Sequence, residues 1–351
     1  MMIGNLGSYN YSYPDDLVAL NPLANKDEAN MLVFEKNSFS HKKVYDLLKH
    51  VSKDDLLVFN NTRVIPCRLI GQRVRLSSEN HGTKVNVTLN KVIGGNVWTT
   101  FCKPLKKLKK GDRIIFSEDL SAEVISFESS QCVMNFDPGN KDFIACLKEI
   151  GDMPLPPYIT KKRSPKKEDF ISYQTPFAEI DGSIAAPTAS LHFSDDYVMT
   201  LKRNNIPYCF ITLHVSGGTF LPIREKNIDK HKMHSEYAMV DENASLLIRE
   251  TLNRGGKVIA IGTTVMRVLE SSFFIDNSFG AFNGFIDTFI KPGHDFKVCS
   301  GLFTNFHLPK STLFILVNAF VGMEKANKLY NLAIKKRYRL FSYGDCCLLL
   351  P

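Results

Sequence analysis

The feature that most restricts this chain is a change of period. From about Cys67 to about Ile150 it reads as short strands separated by turns, whereas on either side strands and helices alternate. In "TKVNVTLNKVIGGNVWTTF", Val85, Val87 and Leu89 alternate, Gly94-Gly95-Asn96 marks a turn, and a second strand runs through Trp98. "DRIIF", "SAEVISF" and "QCVMNF" are further short strands, and such a run with little helical pattern predicts a small barrel. Outside it, "YCFITLHVSGG" reads as a strand and "ASLLIRETLNRGG" as an amphipathic helix ended by glycine. "KVIAIGTTVMRVLESS" and "TNFHLPKSTLFILVNAF" each read as strand, tight turn and helix. The expected fold class is therefore α/β: a larger α/β domain, discontinuous over 1–66 and 151–351, with a small β-barrel domain inserted at 67–150. "GDMPLPPYIT" reads as a stiff extended linker closing the insertion.

At 351 residues, 44% of them hydrophobic, the chain can bury two cores of ordinary size. No apolar stretch approaches the ~18 residues of a membrane span. "MMIGNLGSYNYSYPDD" lacks a basic segment followed by an apolar one, so a cytoplasmic location without membrane attachment is expected. Eight cysteines lie scattered without a CxxC, which suits reduced thiols. His231 and His234 have no Cys or His partner at a matching spacing, so no metal site is expected. Lysine and arginine number 44 against 36 acids, a moderate excess whose placement matters more than its size. Residues 103–113 carry six basic side chains (Lys103, Lys106, Lys107, Lys109, Lys110, Arg113) and one acid, and "TKKRSPKK" adds Lys161, Lys162 and Arg163. A single charge run is commonly just a solvated face; two near a domain junction point equally to a nucleic-acid contact.

Polar residues that interrupt apolar strands are the candidates for chemistry. In "ITLHVSGGTF" a period of two puts Thr212, His214 and Ser216 on one face of an edge strand, and Gly217 and Gly218 let the backbone approach a ligand closely. In "VIAIGTTVMRVLE" a buried strand stops at Gly262, Thr263 and Thr264, where helix-start amides suit a carboxylate or phosphate. Arg267 and Glu270, three residues apart, are close enough to pair. Further clusters are "AAPTASLHF" (Thr188, His192), "KMHSEYA" (His234, Glu236) and "FSYGD" (Ser342, Tyr343, Asp345). None matches a hydrolase elbow or a P-loop, and the absence of G-x-G-x-x-G argues against a dinucleotide site. The residues alone thus indicate an α/β enzyme with a small β insertion and leave its reaction open.

Taken in order, "LLVFNNTRVIPCRL", "PLPPYI", "YQTPFAE", "GSIAAPTASLHF", "ITLHVSGGTFLPI", "MHSE", "VIAIGTTVMRVLES", "TNFHLPKSTLFILVNAFVG" and "YRLFSYGD" resemble the S-adenosylmethionine:tRNA ribosyltransferase-isomerase family of queuosine biosynthesis. The likeness runs from about Tyr13 to Asp345; Ser190 and Ser216 stand where the family pattern has glycine. It implies a transferase-isomerase that consumes S-adenosylmethionine as a ribosyl donor, with no separate cofactor and no metal. The implied acceptor is tRNA carrying 7-aminomethyl-7-deazaguanine at the wobble position, and the expected state is a monomer. His214 and His307 are the first candidates for the base, with His234, Glu236 and Asp345 behind them. Substrate contacts are expected from Asn60, Asn61, Thr62, Arg63, Thr188, His192, Gly217, Gly218, Thr219, Gly262, Thr263, Thr264, Arg267, Glu270, Asn305, Ser342 and Tyr343. Asn305 and His307 should end a strand, Pro309 should stop it, and Ser311 or Thr312 should cap the following helix. If the basic runs grip about five phosphates, log K should fall with log salt at a slope of about −3.5 to −4.5.

Overall fold

The computed structural model describes residues 3–74, 82–128, 130–271, 274–275 and 278–351. The chain starts with β1 (Asn30–Glu35), β2 (Ser38–Lys43), β3 (Leu56–Asn60) and a short β4 (Thr62–Val64). It then makes β5 (Arg68–Val74), β6 (Lys84–Gly94), β7 (Val97–Lys103), β8 (Arg113–Ile115), β9 (Ser121–Glu128) and β10 (Gln131–Asp137). Three helices follow, α1 (Phe143–Ile150), α2 (Pro157–Thr160) and α3 (Asp169–Ser172), then β11 (Ile180–Ser183) and α4 (Asp195–Arg203). The remainder is β12 (Tyr208–Leu213), β13 (Glu236–Val240), α5 (Glu242–Asn253), β14 (Val258–Ile261), α6 (Thr263–Leu269), β15 (Phe274–Ile275), β16 (Ser278–Phe279), β17 (Phe282–Ile286), β18 (Cys299–Asn305), α7 (Thr312–Val321), α8 (Met323–Lys335) and β19 (Cys346–Leu350).

Strands β5 to β10 close into a six-stranded barrel in the order β10-β7-β6-β5-β8-β9, as the short-strand pattern predicts. The turn at Gly94-Gly95-Asn96 joins β6 to β7, with Gly95 at φ 51°. A separate mixed sheet of nine strands runs β17-β13-β12-β3-β14-β18-β19-β1-β2. Both of its faces are covered. Leu56 and Val58 of β3 join one core with α5 to α8, whereas Leu57 and Phe59 join the other with α4. Double burial is why β3 reads as an unbroken apolar run and not an alternating one.

Val44, Leu47 and Leu48 lie on one short 3-10 segment, Val44–Lys49, entered directly from β2. Local expectations were corrected in two places. The proline stretch, expected as a stiff extended linker, turns into a helix at its end: Met153 and Leu155 are buried in one core with Val64, Ile159 and Tyr343, and Pro157 opens α2. β12 is interior to the sheet, between β13 and β3, and not an edge strand.

The topology sets the site. β12, β3, β14 and β18 run parallel, so their carboxyl ends share one edge of the sheet. β19 is antiparallel to β18 and β13 to β12, so both begin at that same edge. Ligands in open α/β sheets bind outside such strand ends. The barrel reaches this edge too, since Ile65 and Ile184 pack in the barrel core and Phe220 touches both the barrel and sheet cores.

Candidate functional site

At the end of β3 the buried Asn60 side chain accepts from the amides of Thr62 (3.0 Å) and Leu213 (3.1 Å) and donates to the Leu213 carbonyl (3.0 Å). Asn61 accepts from the Thr212 hydroxyl (2.7 Å) and donates to Glu179 (3.3 Å). These two asparagines tie the ends of β3 and β12 together and act as scaffold. Their effect is to fix Thr62, whose hydroxyl lies 2.7 Å from His214 Nδ1. The His214 ring stacks on Tyr237 at 5.4 Å and 22°, and its backbone amide donates to the Tyr237 carbonyl. Beneath it passes Gly182, at φ 149°, where a Cβ would come within 2.7 Å of His214 Nε2. Only glycine fits there, on both conformation and space. Burial pushes the His214 pKa down to about 4, against the upward pull of Asp181, so the half-buried ring is neutral at ordinary pH. Arg63 lies farther out, donating to the Ala178 carbonyl (2.7 Å).

Beyond His214 the chain turns through Ser216, Gly217 and Gly218. The Ser216 amide donates to Glu236 Oε1 (2.9 Å), and Glu236 Oε2 pairs with Arg267 Nη1. Arg267 also donates from Nε to the Thr288 carbonyl (3.0 Å). The expected Arg267–Glu270 pair does not form. Glu270 instead accepts the amides of Lys297 (2.8 Å), Val298 (3.0 Å) and Cys299 (2.7 Å), a gain from three backbone donors that one exposed helix pair would not match. Arg267 and Glu236 are both buried, so removing either partner would strand the other at a cost of about 3–5 kcal/mol. Among the described residues, Arg267 Nη2 and Ser216 Oγ are buried without a hydrogen-bond partner. Ser190 Oγ and Thr264 Oγ1 are likewise unpartnered, so Ser190 and Ser216 both hold free buried hydroxyls. His234 is exposed and does not hydrogen-bond Glu236; its ring lies against Gly218, where a Cβ would meet it at 2.3 Å. Gly217 faces the barrel, 3.0 Å from Asn90 Oδ1 and 3.1 Å from Phe101 if a Cβ were added. Asn90 Oδ1 is buried and unpartnered as well. Thr219 is exposed.

At β14 and β18 the groups are more enclosed. Gly262, at φ 104°, donates to the Phe303 carbonyl (2.8 Å) and begins α6 with Thr263 buried. Asn305 ends β18 as expected; it accepts from Thr188 (3.0 Å) and donates to His192 Nε2 (3.1 Å) and the Phe341 carbonyl (3.1 Å). That bond requires an unprotonated His192 Nε2, in keeping with a pKa lowered to about 3 by burial and then by Arg339 and Lys26. Ser311 caps α7, accepting from the Phe314 amide (3.2 Å), which is worth about 1 kcal/mol. His307 also follows β18, but it is buried: Nε2 meets the Thr304 hydroxyl (2.8 Å), its amide donates to Tyr330 (3.0 Å), and its carbonyl accepts from Tyr11. Burial lowers its pKa to about 3.

The C-terminal cluster is mostly structural. Asp345 is fully buried and accepts from the Asn30 amide (2.9 Å), the Asn30 side chain (3.0 Å) and the Arg339 amide (2.8 Å), which joins β1 to β19. Ser342 accepts from the Tyr158 hydroxyl (2.6 Å), and Tyr343, its pKa pushed up by burial to about 12, reaches Ser172 and Asp169.

The two basic runs differ. Lys103, Lys106, Lys107, Lys109, Lys110 and Arg113 are all exposed on the barrel. In the second run Lys161 is exposed, but Lys162 pairs with Asp15 (2.6 Å) and Arg163 is bound at two points by Asp169 (2.8 and 2.7 Å). Arg163 is therefore a fastener and not a free phosphate ligand. Sequence reasoning missed Asp181, Asn90, Lys26 and Arg339. Gly182 stood inside a quoted motif, but its reason, the passage beneath His214, is a long-range contact without a local signal.

A family model described as "Queuosine biosynthesis protein" matches residues 6–349. A protein of Ruegeria pomeroyi named S-adenosylmethionine:tRNA ribosyltransferase-isomerase is 44% identical over 347 residues, covering 99% of each chain. One of the same name from Halothermothrix orenii is 41% identical over 346 residues, covering 97% of this chain and 98% of that one. The crystal structure of a Thermotoga maritima S-adenosylmethionine tRNA ribosyltransferase superposes with a TM-score of 0.55 at 27% identity, covering 98% of this chain and all of that chain.

Proposed function

We propose that this chain, which belongs to the queuosine biosynthesis protein family, is a transferase-isomerase acting on S-adenosylmethionine and tRNA. It moves and isomerises the ribosyl moiety of S-adenosylmethionine onto the aminomethyl group of 7-aminomethyl-7-deazaguanine at the tRNA wobble position. The products are epoxyqueuosine-tRNA, adenine and methionine. On this reading S-adenosylmethionine is a consumed substrate, no separate cofactor or metal takes part, and the chain acts as a cytoplasmic monomer. Among the described residues no helix is long and apolar enough to cross a membrane.

The observation that carries the mechanistic part is His214, a neutral ring fixed by Thr62 at the strand-end edge where the Gly217 turn meets the barrel. The donor's sulfonium acidifies the adjacent 5′ hydrogens. A neutral imidazole accepts one of them, and the ribose ring opens with loss of adenine. General-base help of this kind supplies about 10²–10⁴-fold. An approaching tRNA phosphate raises the proton affinity of the ring, moving its low pKa toward the working range. The proton held by the imidazole passes to the departing adenine, the neutral acceptor amine attacks the opened sugar and loses a proton, and the carbon–sulfur bond breaks to release methionine. Positioning two large substrates supplies much of the remaining acceleration. His307, enclosed and bonded through Nε2 to Thr304, suits this role less well. The exposed lysines of the barrel suit the tRNA backbone, with the unpaired wobble base read by stacking and edge contacts.

The test is a product assay. Purified protein is incubated with S-adenosylmethionine and tRNA carrying 7-aminomethyl-7-deazaguanine, and the digested nucleosides are weighed. A nucleoside heavier by the ribosyl-derived unit, with adenine and methionine, is the expected result. A methylated nucleoside, or adenine released without tRNA, would overturn the reading.

A further inference from the structure

A small cavity opens on the same sheet edge, between the segment at Pro22–Lys26 and the turn at 339–344. Its volume is about 20 Å³, room for one oxygen-sized group and not for a base or sugar. Three donors line it. Arg339 gives Nη2 to the Asn21 carbonyl, but its Nη1 is buried with no acceptor among the described residues. Lys26 is half-buried, and burial lowers its pKa, with Asp195 opposing from a distance. Ser342 already accepts from Tyr158, which leaves its own hydroxyl proton to give.

Among the described residues neither Lys26 nor Arg339 forms an ion pair. Asp345, whose charge bears on Arg339, is engaged by the Arg339 backbone amide and by Asn30. His192, on the cavity wall, is held uncharged through Asn305 and brings no counter-charge. Two partly desolvated cations lining one small cavity lose hydration, a cost that an anion with its own hydrogen bonds offsets.

We propose that Lys26, Arg339 and Ser342 form a subsite for one oxyanion group of a substrate, a carboxylate or a phosphate. The naming of its source rests on the functional reading above: the methionine carboxylate of S-adenosylmethionine, or a backbone phosphate of tRNA. The subsite itself does not.

The experiment therefore has a direct arm and an assigning arm, run on the full chain and on Lys26→Gln, Arg339→Gln and the double variant. Lys26→Arg serves as the charge-retaining control, and circular dichroism verifies the fold. In the direct arm inorganic phosphate is titrated against equal ionic strength of chloride. The melting temperature of the wild type and of Lys26→Arg should rise with phosphate, and that of the double variant should not. In the assigning arm, a loss of S-adenosylmethionine affinity of about tenfold or more, with the tRNA salt slope unchanged, identifies the carboxylate. A log–log salt slope shallower by about one per lost cation, with S-adenosylmethionine affinity unchanged, identifies a phosphate. A wild type that responds to phosphate but binds neither substrate would sink the functional reading and keep the subsite. Equal phosphate response in wild type and double variant overturns the subsite.

Discussion

His214 and His307 offer a controlled comparison within one molecule. Each follows a parallel strand of the same sheet, and each meets a threonine hydroxyl through one ring nitrogen, at 2.7 Å from Thr62 and 2.8 Å from Thr304. What differs is the cover. Against His214 lie a flat tyrosine ring and the bare backbone of Gly182, and the ring stays only half-buried. His307 is closed in by Tyr11 and Tyr330, which hold its backbone, and the apolar length of α7 begins at Thr312 soon after it. The same strand-end pair of threonine and histidine is thus left partly accessible in one place and becomes a core fastening in the other. Access and not residue type makes the difference, because a base must reach its proton and a fastening must not be wetted.

The largest test of this contrast is the pair of alanine variants. His214→Ala should lower turnover by about 10²–10⁴-fold with the denaturation midpoint near wild type. His307→Ala should instead cost about 1–3 kcal/mol of stability, because it leaves the buried Thr304 hydroxyl unpaired, with a smaller effect on turnover. Turnover and urea midpoints read both, and the reverse pattern would assign the base to His307. Next comes Gly182→Ala. A methyl group there must displace the His214 ring, and a misplacement of about 1 Å is worth roughly 10²-fold in rate. A kcat near wild type would show that the ring position is not limiting.

The smallest effect is in pH. His192 and His307, with folded pKa values lowered to about 3, and His214, lowered to about 4, all lie below the ordinary 6.5. Between about 6.5 and those values the unfolded chain binds more protons than the folded one, so stability is full above 6.5 and is lost as pH falls. Each ring adds a slope of at most about 1.4 kcal/mol per pH unit. Denaturation at stepped pH should show a shallower slope in His307→Ala than in wild type. An unchanged slope would place the His307 pKa near its ordinary value.

Much of the site was legible as a set of residues and little of it as a division of roles. Asn60, Thr62, His214, Gly217, Glu236, Gly262 and Asn305 do gather along one edge, because parallel strands bring their carboxyl ends together. Arg267 was expected beside Glu270 from helical spacing, yet it pairs with Glu236, 31 residues back along the chain and beyond the reach of any local rule. Arg163 looked like part of a basic run until Asp169 claimed it. Local spacing counts neighbours on one element, whereas a buried charge takes whichever partner the packed chain brings near.

The sequence by itself determined the division into barrel and mixed sheet, since hydrophobic period is a local property that each segment carries. It also determined where strands stop, through glycine, proline and the Ser311 cap. Only the tertiary structure decided which polar groups are fastenings and which remain open. Asp345 and Asn305 are spent on holding strands, while Arg339, Lys26, Ser216 and Arg267 keep unpaired donors. That sorting depends on burial and on partners distant along the chain, and neither exists until the sheet has closed.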